Sequence, residues 1–135
     1  ANVETIGESA FDSTESIRTW AFAYTGITGT LVIPANVETI GSTAFSQTKL
    51  TGLDLSNAAL LVSIGNGAFA YTDITGTLVI PAKVETIGMG AFYDTDITGL
   101  DLSNAALLVS IGNGAFAYTD ITGTLVIPAN VETIG

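Results

Sequence analysis

The chain has 135 residues, of which 47% are hydrophobic, and its 13 acidic and three basic residues give a net charge of −10. This composition supports one folded domain with a continuous core and argues against disorder. The charge argues against a nucleic-acid partner, because no basic patch is available to bind phosphates. Without cysteine or histidine, the chain has no disulfides, thiolate zinc sites or cysteine or serine–histidine nucleophiles.

No apolar run approaches the roughly 18 residues of a membrane span, so we expect no membrane insertion. The chain opens at Ala1 without a signal-peptide pattern, which predicts a mature product or a segment of a longer protein. No cofactor is predicted from the residue types present.

The predicted elements begin with an atypical coil over residues 1–25, which we expect to cap the N-terminal end of the fold. Its segment SIRTWAFAYT resembles the later SIGNGAFAYT, with Arg18 and Trp20 in place of two glycines. Because these side chains strain a glycine turn, we expect a rebuilt turn with the indole and the guanidinium folded over the next coil. Trp20→Gly is then expected to lower stability by more than about 1 kcal/mol. An amphipathic helix over residues 9–24 and a recombination scar are alternatives.

Residues 3–14 align without gaps with residues 84–95, but the 13 residues that should follow are missing. From Glu15 onward, the sequence aligns with the segment that begins at Val109. The missing piece includes a Leu-Asp-Leu strand, so we expect the first coil to add no strand to the sheet.

Residues 26–135 are predicted to form a repeat domain that ends in mid-coil. IPANVETIG begins at Ile33 and Ile127, and IPAKVETIG begins at Ile80, a spacing of 47 residues. Each 47-residue unit divides into coils of 23 and 24 residues that share one apolar pattern. Such a coil is too short to bury a core alone, so neighbouring coils have to stack.

One short strand is predicted in each complete coil, because apolar residues alternate there with outward-facing residues. We expect five strands in one parallel, in-register sheet: residues 31–33, 53–55, 78–80, 100–102 and 125–127. Proline follows three of the strands and ends their ladders. SNAALLV is predicted to form a single helical turn capped by Ser56 or Asn57.

The Ile-Gly pair of each coil is predicted to form a turn in which glycine takes a positive φ. The phenylalanines that follow are expected to stack in a buried column: Phe45, Phe69, Phe92 and Phe116. Three residues later, threonine hydroxyls are expected to point inward and bond to the backbone: Thr25, Thr48, Thr72, Thr95 and Thr119.

The pattern L-x-I-P-x-x-V-x-x-I-G-x-x-A-F resembles the BspA-like, or treponemal-type, leucine-rich repeats of bacterial and protist surfaces, from Val3 to Gly135. The resemblance implies a leucine-rich-repeat solenoid: a right-handed stack of coils with a parallel β-sheet on one face and little helix. It also implies a non-enzymatic protein at the cell surface or outside the cell, because members are associated with adhesion and with matrix proteins. Threonine stands where the family often has cysteine.

The outward side of the strands is the first candidate site, because leucine-rich repeats often bind proteins there; a merely solvated sheet is the alternative. It carries Thr30, Val32, Asp54, Thr77, Val79, Asp101, Thr124 and Val126. Asp54 and Asp101 lie two coils apart, roughly 9.6 Å at about 4.8 Å per strand. A retaining glycosidase needs its carboxylates about 5–5.5 Å apart, so the sequence predicts no enzyme.

Two further groups are candidates. Tyr24, Tyr71 and Tyr118 recur every 47 residues and predict an exposed aromatic column, with packing along the coil edge as the alternative. A strip of carboxylates on successive coils offers oxygen ligands for Ca²⁺, with solvated side chains as the favoured alternative. The strip consists of Asp73, Asp94, Asp96 and Asp120.

Two functions remain open at this level. The first is adhesion through a protein ligand or a matrix component at the cell surface. The second is end-to-end stacking of coils into filaments, because the chain opens with the same ANVETIG with which it closes at Gly135.

Overall fold

The computed structural model describes Ile6 and residues 10–135. The predictions for residues 1–5 and 7–9 lie outside the described residues. They include the start of the capping coil and the start of the alignment at Val3. The expected solenoid is confirmed: the described chain winds through about five coils of about 23 residues, with no helix. Its strands are β1 Ser16–Ile17, β2 Thr28–Val32, β3 Thr39–Ile40, β4 Lys49–Asp54, β5 Ser63–Ile64, β6 Thr72–Val79, β7 Thr86–Ile87, β8 Thr95–Asp101, β9 Ser110–Ile111 and β10 Thr133–Ile134.

The longest sheet lies where the sequence predicted turns. It is parallel, has the order β1-β3-β5-β7-β9-β10, and pairs each isoleucine with the isoleucine of the next coil, as in Ile40 opposite Ile64. The glycines after these isoleucines do not take a positive φ, so that prediction was wrong. Glycine is needed for close approach instead, since a Cβ on Gly41 would lie 2.4 Å from the Thr19 nitrogen of the preceding coil.

The strands predicted as one five-stranded sheet form two smaller parallel sheets. β2 pairs with β4 and β6 with β8, while residues 125–127 form no strand. The register shifts by one residue inside each pair: Gly29 lies opposite Leu50 and Thr30 opposite Gly52, so Thr51 has no partner. The equivalent shift lies between Gly76 and Thr77, so each pair contains a β-bulge.

The predicted phenylalanine column is confirmed and begins one coil earlier, at Phe22. Successive rings from Phe22 to Phe116 stack with centroids 5.2–5.3 Å apart and nearly parallel planes. Phe45, Phe69 and Phe92 are fully buried. Each threonine three residues later donates its hydroxyl to the phenylalanine carbonyl, as predicted.

SNAALLV forms consecutive turns rather than the predicted helical turn, with the Ala58 N–H donating to the Leu55 carbonyl. Ser56 does not cap a helix. Its backbone N–H donates to a carboxylate oxygen of Asp54 at 2.8 Å, because the chain turns at once after β4.

Phe11 packs against the side of the phenylalanine column, next to its first two rings. Its ring meets Phe22 and Phe45 edge-on, with centroids 5.7 and 6.3 Å away. Its carbonyl accepts from the Thr14 N–H. The Thr14 carbonyl accepts from the Asn36 side-chain amide as the Leu108 carbonyl accepts from that of Asn130, so Thr14 stands at the position of Leu108 and not, as the alignment with residues 84–95 predicted, at that of Thr95.

The side-chain amide of Asn36 ties this turn to the next coil through the carbonyls of Phe11 and Thr14. Residues 10–24 are turns and β1, so the alternative helix over residues 9–24 is also wrong where the structure describes it. The predicted position of Glu15 is confirmed, because its carbonyl accepts from the Glu38 N–H as that of Val109 accepts from Glu132.

Candidate functional site

The strand face consists of the outward side chains of β2, β4, β6 and β8 and of the equivalent residues 124–126. On β6, Leu78 is buried and Val79 is 42% exposed, as the alternation predicted. Val32 and Val126 are exposed as well, and the three threonines of the face point to solvent. Asp54 and Asp101 are half-buried at the ends of their strands.

Two equivalent grooves open on this face. The first has a volume of about 670 Å³ and is lined mainly by Leu53, Asp54, Thr77, Val79 and Pro81. The second has a volume of about 470 Å³ and is lined by the residues 47 positions later: Leu100, Asp101, Thr124, Val126 and Pro128. The sequence placed these side chains on one face but did not predict the grooves, which form because a carboxylate and a proline flank the exposed valine.

Both carboxylates in the grooves are held in place by the turn that follows. Hydrogen bonds from the Ser56 hydroxyl and backbone N–H lower the pKa of Asp54 below its ordinary value, and Ser103 lowers the pKa of Asp101 in the same way. A lowered pKa keeps a carboxylate ionised and makes it a poor general acid. The grooves therefore present fixed negative charges beside apolar side chains, and the first groove is also lined by Lys83.

Glycine positions the threonines of the strand face. A Cβ on Gly52 would lie 2.5 Å from the Thr30 hydroxyl oxygen, and one on Gly99 would lie 2.7 Å from that of Thr77. Each threonine thus lies across the glycine of the next coil. The alternation of Thr-Gly-Thr with Thr-Gly-Leu was the signal for this contact, which sequence reasoning missed.

The tyrosines form a ladder whose membership differs from the predicted column. Tyr71, Tyr93 and Tyr118 meet edge-to-face, with ring centroids 5.4 and 5.0 Å apart. Tyr24 lies apart from them and stacks on Trp20 at 6.1 Å. Sequence reasoning missed Tyr93, which stands in a slot that holds alanine in the neighbouring coils. Desolvation, followed by the influence of the Tyr118 phenol, raises the pKa of Tyr93.

Trp20 and Arg18 do not cover the core. Trp20 is 56% exposed and Arg18 is exposed, whereas Phe11 packs on the phenylalanine column. The glycine turn is not rebuilt either: Trp20 takes a φ of 62°, and its N–H donates to the Ser42 carbonyl as that of Gly67 donates to Met89. These placements differ from the expected cap.

Arg18 replaces the glycine that follows the isoleucine in the later coils. Those glycines lie against the backbone of the preceding coil. Arg18 follows β1, which is the edge strand of the six-stranded sheet within the described residues. A side chain at this position therefore has room that the later coils do not offer.

The four aspartates of the predicted calcium strip are all exposed. Across Ile6 and residues 10–135, no three acidic side chains come close enough together to hold a metal ion. In the same residues, no helix has the length and apolarity for crossing a membrane.

Comparison with family models identifies the repeat. The model of the BspA type leucine-rich repeat region matches six copies across residues 15–135. Comparison with curated proteins and with solved structures gave no match. The matched segment contains the phenylalanine column, the six-stranded sheet and both grooves. The chain therefore belongs to the BspA-type leucine-rich repeat family.

Proposed function

We propose that the chain is a non-enzymatic binding module of the cell surface or the extracellular space, and that its strand face holds a protein ligand or matrix component. The pair of equivalent grooves is the observation that carries this proposal. Each combines an exposed valine and a proline with an ionised aspartate. Membership of the repeat family supports it, because repeats of this type commonly serve in surface or protein interactions and are typically non-catalytic.

The charge of the chain indicates the chemistry of the partner. A net charge of −10 favours a surface with basic residues, because complementary potentials accelerate encounter and disfavour other partners. The groove valines then contribute apolar contact area, while Asp54 and Asp101 pair with cations at the rim. Such pairing predicts that binding weakens as salt concentration rises.

The experiment is a surface-plasmon-resonance screen of matrix proteins against the 135-residue chain, followed by one matched pair of variants. Val79→Asp places in the groove the residue that its ladder neighbour Asp101 already carries, so the strand can accommodate it. Val109→Glu adds a negative charge on another face, at a position where Glu85 and Glu132 stand in the neighbouring coils.

Val79→Asp is expected to weaken binding of the captured protein at least about tenfold, a change of about 1.4 kcal/mol. Val109→Glu is expected to leave binding unchanged. Equal affinity of both variants and the parent chain would place the binding surface elsewhere and refute the proposal.

End-to-end assembly is a second candidate, favoured by apolar side chains at the last described coil. Leu125, whose equivalents Leu31 and Leu78 are buried, is 42% exposed, and Ile134 is 58% exposed. A second copy stacking on β1 in the same register would meet the Cβ of Arg18, where the later coils have glycine. Light scattering of the 135-residue chain and of two variants tests this. Stacking is supported if the parent chain assembles, Arg18→Gly increases the particle size and Ile134→Asp abolishes assembly. If the parent chain and both variants are monomers, stacking is excluded.

A further inference from the structure

The tyrosine ladder brings three phenol rings from three successive coils into contact. Tyr93 lies between the other two, with its ring centroid 5.4 Å from that of Tyr71 and 5.0 Å from that of Tyr118. The interplanar angles of 60° and 65° turn ring edges toward ring faces. Tyr71 is 51% exposed and Tyr118 is 73% exposed, so a diffusing oxidant can reach the ladder.

The contacts follow from the repeat itself. Tyr71 and Tyr118 occupy the same left-handed position, with φ of 58° and 56°, two residues after a stacked phenylalanine. They stand two coils apart, and the coil between them has Asp94 at that position. Tyr93, one residue earlier, fills the resulting gap with an aromatic ring.

We propose that the Tyr71–Tyr93–Tyr118 ladder is a site of oxidative modification, at which a one-electron oxidant of the peroxidase type couples Tyr93 to Tyr71 or Tyr118 as dityrosine. This inference is independent of the proposed binding function. It uses the edge-to-face contact of phenol rings on neighbouring coils, whose centroids lie 5.4 and 5.0 Å apart.

The chemistry balances with one hydrogen peroxide per cross-link. Each of two phenols gives up one electron and one proton to become a phenoxyl radical. The two radicals join through ring carbons adjacent to the hydroxyls, and each ring hydrogen then moves to oxygen and restores the phenol. The protein loses two hydrogen atoms, and the peroxide takes up two electrons and two protons to become two waters.

The product adds a covalent bond between side chains of neighbouring coils, which otherwise touch only through non-covalent contacts. Tyr71 and Tyr93 are 22 residues apart in the chain, and Tyr93 and Tyr118 are 25 residues apart. A covalent link across such a loop restricts the unfolded chain much as a disulfide does, and this chain has no cysteine. The oxidised protein is therefore expected to melt several degrees above the untreated protein.

Peroxidase and hydrogen peroxide acting on the dilute 135-residue chain test the inference, with dityrosine fluorescence as the first readout. Trypsin then provides the second, because Arg18, Lys49 and Lys83 are the only basic residues. A Tyr71–Tyr93 link joins the peptides 50–83 and 84–135. A Tyr93–Tyr118 link leaves the peptide 84–135 lighter by two hydrogen atoms. Tyr24 lies in the peptide 19–49, which is expected to remain unlinked.

Two variants complete the test. Tyr93→Phe keeps an aromatic ring in the ladder and is expected to abolish both cross-links. Tyr24→Phe is the matched control and is expected to leave dityrosine formation unchanged, because Tyr24 stacks on Trp20. Undiminished intramolecular dityrosine in Tyr93→Phe would overturn the proposal. Cross-links found only between molecules, with a yield that rises with protein concentration, would overturn it as well.

Discussion

Gly41 lies against the backbone of Thr19, so that a Cβ on this glycine would be 2.4 Å from the Thr19 nitrogen. The same contact recurs at the glycine after the isoleucine in each following coil. At these positions successive coils therefore approach too closely for a side chain to fit between them.

Gly65→Ala is predicted to lower the free energy of unfolding by about 3 kcal/mol, because its Cβ would lie 2.5 Å from the Ser42 nitrogen and the backbone has to move. Gly76→Ala is the matched control. It has open space around the new Cβ and a φ of +86°, so only backbone strain of about 1 kcal/mol is expected. Urea denaturation measures both, and equal losses would contradict the close-approach explanation.

Phe69→Ala is predicted to lower the free energy of unfolding by about 3–5 kcal/mol, because the ring is fully buried between Phe45 and Phe92. Phe116→Ala is expected to cost less, because Phe116 is only partly buried. Thermal and urea unfolding of the two variants provide the comparison. A larger loss for Phe116→Ala would contradict the assignment of the column centre.

Trp20→Gly is predicted to change the free energy of unfolding by no more than about 1 kcal/mol, which revises the expectation drawn from sequence. Glycine relieves the left-handed φ of 62°, and this gain offsets the lost stacking on Tyr24. Trp20→Ala loses the stacking and keeps the strain, so it is expected to be less stable than Trp20→Gly by about 1 kcal/mol. If urea denaturation shows Trp20→Gly to be less stable than Trp20→Ala, the interpretation of Trp20 as a cap is supported instead.

Acid is predicted to destabilise the chain through Asp54 and Asp101. Both have pKa values lowered in the folded state, so their contribution is complete at neutral pH. It is lost as the pH falls below about 4 and through the folded pKa values. The double variant Asp54→Asn, Asp101→Asn should lack this part of the pH dependence. Melting temperatures that follow the same pH profile in both proteins would contradict the prediction.

The repeat made the stacked architecture predictable from sequence. The 47-residue period, the division into two coils and the buried phenylalanines depend only on spacing and hydrophobicity, and each appears in the structure. The threonine–carbonyl hydrogen bonds were also predictable, because a buried hydroxyl three residues after a turn needs a nearby acceptor.

The positions of the sheets were less predictable, because a glycine is required either where φ is positive or where a neighbouring backbone leaves no room for a Cβ. Gly65 was interpreted as a residue of positive φ, whereas its role is to admit the backbone of the preceding coil. Conversely, Trp20 does adopt the positive φ that its side chain disfavours. A sequence pattern shows that no side chain is tolerated, but it does not show whether a torsion angle or a neighbour forbids it.

The sequence predicted which face of the solenoid carries each candidate residue, but it did not predict which side chains touch one another there. The alternation along β6 identified Val79 as exposed, while the groove beside it depends on Pro81 and on the turn after Asp54. Tyr93 was missed because it breaks the 47-residue pattern. Its place between Tyr71 and Tyr118 emerges only when the coils are stacked.

Residues 51–79 and 98–126 are identical, so a coil that follows either segment meets the same surface. Inserting or deleting a whole 47-residue unit therefore creates no junction that the chain does not already contain. Unequal crossing-over between copies can lengthen or shorten the array while the phenylalanine column continues from coil to coil. The reach of the protein is then set by copy number, independently of the chemistry that each unit displays.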